Sequence, residues 1–170
     1  MKLSEKELED IVFESSNQAL QEKGLEIFGR KIRQLKIGNY GIADIVTFSR
    51  AVEEIEGNTT SILDIDIIEL KQDIVNIQTF LQSIKYAKGI TEYLYKRHFF
   101  EFRINITLIG TSVDMSNFIY LPDLIRLNNE CYDLYGSLNF YKVSYDVNGI
   151  NFKNISGYKL IDSGFKDKLI

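Results

Sequence analysis

The sequence predicts an α/β sandwich built on a mixed β-sheet, and three observations carry that prediction. Ser4 followed by Glu7 forms a capping pattern that opens a run of apolar residues at helical spacing. Three strand-like runs rich in Ile, Val and Phe lie between Leu25 and Leu70, and a second amphipathic run follows them. A further apolar run then extends from Phe102 to Ile109. Helix, three strands, helix and strand in that order suit a mixed sheet flanked by helices. At 170 residues, 45% hydrophobic and 26% charged, the chain has the length of one domain and enough apolar residues to fold without disulfides.

After Ser4, the residues Leu8, Ile11, Val12, Ala19 and Leu20 recur at helical spacing, which predicts one helix reaching Gly24. Leu25 to Leu35 reads as a strand, Gly38-Asn39-Tyr40-Gly41 as a turn, and Ile42 to Phe48 as the second strand of a hairpin. A polar, acidic connection containing Gly57-Asn58 leads to a third strand, Ile62 to Leu70. Asp73 is positioned to cap a second helix carrying Ile74, Ile77, Leu81 and Ile84, which Gly89 interrupts or ends. Beyond the strand at Phe102 to Ile109, the sequence predicts a short helix near Pro122 to Asn128 and a strand from Leu138 to Tyr145. Asn148-Gly149 reads as a tight hairpin turn after it.

Composition excludes several classes of function. One cysteine, Cys131, and one histidine, His98, leave no intramolecular disulfide and no Cys/His zinc cluster, which suits a reducing compartment. The sequence after Met1 turns at once to Glu and Lys and contains no run long enough to cross a bilayer, so a cytoplasmic, membrane-free protein is expected. Glycine-rich phosphate loops, dinucleotide fingerprints and paired helical histidines are all missing. A net charge of −4 and a pI near 5.1 argue against coating nucleic acid by bulk charge. Local basic stretches could still follow a phosphate backbone. One holds Arg30, Lys31, Arg33 and Lys36, and the other Lys85, Lys88, Lys96, Arg97 and Arg103, although either could equally be a solvated face.

The third strand carries the informative anomaly. Its apolar run ends in Ile67-Ile68-Glu69-Leu70-Lys71, and residues two apart on a strand share a face. Glu69 can hold a hard cation through oxygen while Lys71 touches a water or phosphate beside it. Taken alone, Glu-x-Lys is ordinarily a solvated strand edge with an ion pair of little worth. The preceding strand adds Asp44 within Gly41-Ile42-Ala43-Asp44-Ile45-Val46, where a buried carboxylate is costly without compensation. A divalent cation shared with Glu69 would supply it; an Asp bonding backbone amides near Gly41 is the alternative.

These residues resemble the PD-(D/E)XK nuclease superfamily, in particular the nuclease domains of NucS-type and RecB-like enzymes. Asn39-Tyr40-Gly41-Ile42-Ala43-Asp44-Ile45 resembles the family's Gly-x-x-Asp strand, and Glu69-Leu70-Lys71 its Glu-Leu-Lys strand. Gln82-Ser83-Ile84-Lys85-Tyr86 resembles its Gln-x-x-x-Tyr helix, and Leu8-Glu9 its N-terminal acidic position. No proline precedes Asp44. The resemblance spans about residues 4–109 of a single domain covering 1–170, and residues 110–170 are left to complete the sheet or form a dimer or substrate surface.

The resemblance implies a restriction-endonuclease-like fold and a nuclease, with DNA the expected substrate and Mg²⁺ or Mn²⁺ the cofactor. Asp44, Glu69, the Leu70 carbonyl and Glu9 would be metal ligands, and Lys71 would orient the attacking water. Gln82 would hold Lys71 or a metal-bound water. Tyr86 would contact a phosphate or simply pack. Arg30, Lys31 and Arg33, with Lys85 and Lys88, would border the same concave face. A homodimer would bring two sites to two strands. The competing readings are a nuclease-fold subunit that binds nucleic acid without cutting, and an interaction module using its ten tyrosines and eleven phenylalanines.

Overall fold

The structure, a computed structural model, describes residues 3–55, 58–114, 116, 118 and 135–156. In chain order its strands are β1 (Arg30–Lys36), β2 (Ile42–Ile55), β3 (Asn58–Leu70), β4 (Ile74–Val75), β5 (Phe102–Gly110), β6 (Ser112–Val113), β7 (Tyr135–Asp146) and β8 (Gly149–Asn154). The helices are α1 (Glu5–Glu14), α2 (Asn17–Glu22) and α3 (Ile77–Tyr95). Six strands form one mixed sheet in the order β1-β2-β3-β5-β7-β8. β3, β5 and β7 run parallel, while β1 with β2, β2 with β3, and β7 with β8 are antiparallel. Parallel neighbours need a crossover, and α3 supplies it between β3 and β5.

Side chains of β3 alternate between two cores. Ile65 and Ile67 pack with Tyr86, Ala87 and Ile90 of α3, whereas Ile68 and Leu70 pack with Leu8 and Val12 of α1 and Leu20 of α2. The helices therefore cover opposite faces of the sheet. Ile65, Ile67, Ile68 and Leu70 are all 0% exposed. At about 1.5–3 kcal/mol for each such side chain, β3 is anchored on both faces. Rigid strands of this kind position side chains more tightly than loops do. Among the described residues no helix is long and apolar enough to cross a membrane.

Several boundaries differ from those the sequence suggests. The single helix expected from Ser4 to Gly24 is two, because Ser15 is extended and the Ser16 side chain caps α2 by accepting the Ala19 N–H. The capping box at Ser4 and Glu7 is formed. The acidic connection between the second and third strands is mostly paired: the ladder continues through Arg50↔Leu63 to Ile55↔Asn58 and lengthens both strands.

Asn76, not Asp73, caps α3 by accepting the N–H groups of Gln78 and Thr79. The Asp73 carbonyl instead receives the Thr111 N–H. Gly89 does not end α3. A Cβ there would lie 2.5 Å from Ile37 and 2.6 Å from Tyr40, so its missing side chain lets the helix approach the 3₁₀ turn at Gly38–Tyr40. The hairpin turn expected at Asn148-Gly149 joins β7 to β8. The expected helix near Pro122 lies outside the described residues.

Candidate functional site

The paired register of β2 and β3 ends at Ile45↔Ile68, so the next facing positions are Asp44 and Glu69. There the contact between strands passes to side chains. The Asp44 N–H donates to Glu69 Oε1 at 3.3 Å, and the Leu70 N–H donates to Asp44 Oδ2 at 3.0 Å. Each carboxylate hooks onto the backbone of the other strand. Asp44 thus uses an amide of β3, and not the amides near Gly41. The strand turns into this position at Gly41, whose φ of +122° is a glycine conformation. A Cβ there would also meet the Tyr86 ring at 2.8 Å.

Glu69 is 0% exposed, and its Oε2 is buried without a hydrogen-bond partner. Burial, reinforced by the charge of Asp44, pushes its carboxyl up to about 8. Asp44 is also raised above the usual carboxylate range, mainly by burial, against the opposing pull of the Leu70 N–H and the Lys71 ammonium. The pair is one of electrostatically frustrated acids, which a proton or a cation would relieve.

Lys71 leaves the strand with its N–H on the Ile109 carbonyl, and its ammonium reaches Glu5 Oε1 on α1 at 3.3 Å. Glu5 was expected in a solvent or capping role and not at the site. Its charge nevertheless raises both Asp44 and Glu69, and acts on Asp44 more strongly than Glu9 does. An acid in the first turn of a helix reads as an ordinary partner of the helix dipole, so only the fold could find Glu5. Glu9 is buried at 7% exposure and faces the sheet. Its Oε1 is already occupied by Arg33 at 2.5 Å and Gln34 at 2.9 Å. Among the described residues no group of three or more His, Cys, Asp or Glu side chains is arranged to hold a metal ion, so the expected third ligand is not assembled with the pair.

Gln82 donates to the Tyr86 hydroxyl at 2.6 Å, one turn along α3, and does not hold Lys71. Tyr86 is buried at 4% exposure, packs against Gly41, and feels the charges of Glu69, Asp44 and Lys71. It therefore lies at the edge of the site and packs there as well.

The basic residues separate. Lys31 donates to the Val12 and Ser15 carbonyls and so caps the C-terminus of α1. Arg33 pairs with Glu9 and Asp10, and its guanidinium lies 5.9 Å from the Phe13 ring centre. Both reach toward α1, while Lys85 and Lys88 are exposed on α3 across the sheet. The single concave basic face expected from the sequence is thus divided by the sheet. Arg30 is exposed on the edge strand.

Two acids that the sequence reading passed over, Asp64 and Asp66, lie on the face of β3 opposite Glu69. Asp64 is bonded bidentately to Arg103 at 2.7 and 2.8 Å, and Asp66 accepts from the Thr107 hydroxyl. The alternation Asp64-Ile65-Asp66-Ile67 was the available signal, since carboxylates on a central strand demand partners.

Compared with protein-family models, with curated proteins and with solved structures, the chain matches none significantly.

Proposed function

We propose that this chain is a divalent-metal-dependent nuclease of the PD-(D/E)XK type, acting on DNA through Asp44, Glu69 and Lys71. The observation that supports it best is the bare Oε2 of Glu69, fully buried beside a second carboxylate at the shared end of two strands. Folding alone gains nothing from leaving that oxygen without a partner. Two adjacent hard-oxygen donors with excess negative charge fit Mg²⁺ or Mn²⁺, with the Leu70 carbonyl the backbone ligand that the resemblance implies. Such an ion, when bound, supplies Lewis-acid polarisation of a phosphate and lowers the pKa of water.

The chain's own residues do the remainder. Asp44 and Glu69 hold each other's strands in register, so their carboxylates are positioned before any ligand arrives. Lys71, held by Glu5 and partly exposed, would orient a water or meet charge developing on the phosphate. Tyr86 and Gln82 form a bonded pair that closes the α3 side.

A subunit that binds nucleic acid without cutting is the second reading. It draws support from the engagement of Lys31 and Arg33 within the fold, which leaves fewer cations for a substrate. Cleavage of labelled duplex, flapped, junction and single-stranded DNA with Mg²⁺, Mn²⁺ or EDTA separates the two. The nuclease reading expects cleavage of at least one substrate with metal and none with EDTA. Binding without cleavage under every condition favours the second reading.

A further inference from the structure

The face of the sheet that packs on α1 and α2 is apolar at one end only. Beyond Ile45, Ile68 and Ile109, the same face of the strands continues with Thr47 and Ser49, Asp66 and Asp64, and Asn105 and Arg103. These side chains line a cavity of about 550 Å³, on the opposite face of β3 from Glu69. A polar floor across central strands is unusual for a sandwich whose sheet should bury both faces.

Among the described residues, the charges of this floor are not balanced internally. The Arg103 guanidinium is bidentate to Asp64. Asp66, on the central strand, has Thr107 as its only hydrogen-bond partner among the described residues. Both Asp66 oxygens lie 3.0 Å from the same Thr107 Oγ1. One hydroxyl carries one proton, so it satisfies one oxygen at a time and leaves most acceptor capacity unused. Burial pushes Asp66 up to about 7, in keeping with a carboxylate short of compensation. Glu26 adds a third acid to the lining, and Phe28, 63% exposed, borders it as well.

We propose that this cavity binds a small organic cation bearing a primary ammonium or guanidinium group, with Asp66 as its charge partner and the Phe28 ring against its apolar or cationic portion. The assignment follows from the inventory. Among the described residues the lining holds three carboxylates against one guanidinium already in use, so it selects cations over anions. N–H donors match the unfilled acceptor positions of Asp66, and an exposed aromatic ring attracts such a cation through its π face. The site is independent of the nuclease reading, sharing no residue with Asp44, Glu69 or Lys71.

The test is calorimetric titration of agmatine and spermidine, with sorbitol as a neutral control and Mg²⁺ as an inorganic one, into wild type, Asp66→Asn, Phe28→Ala and Glu69→Gln. Saturable one-to-one binding of at least one organic cation is expected. Asp66→Asn should weaken it about ten-fold or more, as for loss of a charged hydrogen-bond partner. Phe28→Ala should weaken it roughly two- to five-fold, and Glu69→Gln should leave it unchanged. Because Phe28 is exposed, its variant keeps the test valid even if Asp66→Asn fails to fold. Absence of saturable binding by both cations would overturn the proposal. So would wild-type affinity in both the Asp66 and Phe28 variants, or sorbitol binding as tightly as the cations, or Mg²⁺ doing so in Glu69→Gln, where the Asp44 and Glu69 pair is disabled.

Discussion

A buried carboxylate with one oxygen bonded and the other bare costs free energy until a proton or cation joins it. Glu69 is in this state, and its carboxyl lies near 8 against an ordinary value of 4.5. Between those values the folded chain keeps a proton that the unfolded chain releases. This contribution to stability is present at the acid end and is lost as pH rises through about 8. Asp66, raised to about 7, acts in the same direction. In EDTA, Tm should therefore fall as pH rises from 5 to 8.5, and Glu69→Gln should flatten the decline. The amide keeps the acceptor for the Asp44 N–H while removing the charge. At pH 8 the variant should melt several degrees above wild type, since about 1 kcal/mol moves Tm by roughly 2–4 °C in a domain this size. Lys71→Ala should abolish cleavage and leave Tm almost unchanged, because its half-exposed pair with Glu5 contributes little to folding. A matching loss of folding would make Lys71 a structural residue.

Among the elements, α1 and α3 are held by contacts that composition disguises. Lys31 caps the last carbonyls of α1. Lys31→Met should lower stability by about 1–3 kcal/mol in urea unfolding, the cost of leaving bonds to a charged donor unmade. Gly89→Ala tests α3. In an exposed helix this change stabilises by up to about 1 kcal/mol. Here the new Cβ would meet Ile37 and Tyr40, so a loss of about 1–3 kcal/mol is expected from overpacking.

The closeness of Asp44 and Glu69 was legible before the fold, because a carboxylate in each of two successive apolar strand runs is costly unless the two share a partner. The α/β order was legible in the alternation of helical spacing with short β-rich runs. Lys31 and Arg33 were not, since a basic run reads alike whether it meets solvent, phosphate or a helix C-terminus. The paired stretch from Ser49 to Ser61 was hidden by its acids, and the break at Ser15-Ser16 by apolar spacing that continues across it.

Across the described residues, acids short of partners occur on both faces of the sheet. Acids gather at the end of β2 and β3 and in the cavity behind them, while Arg30, Lys85 and Lys88 are exposed. If nucleic acid is held by the exposed cations, Arg30→Glu and Lys88→Glu should each reduce the salt dependence of binding by about one released counterion. Lys31→Met should change stability and leave that slope alone. The account depends above all on a cation joining the two carboxylates. Calorimetric titration of Mn²⁺ into wild type, Asp44→Asn and Glu69→Gln measures this directly. The predicted result is saturable binding by the wild type, weakened at least ten-fold in each variant while both remain folded. Equal Mn²⁺ affinity in all three proteins, or no binding by the wild type, would contradict it.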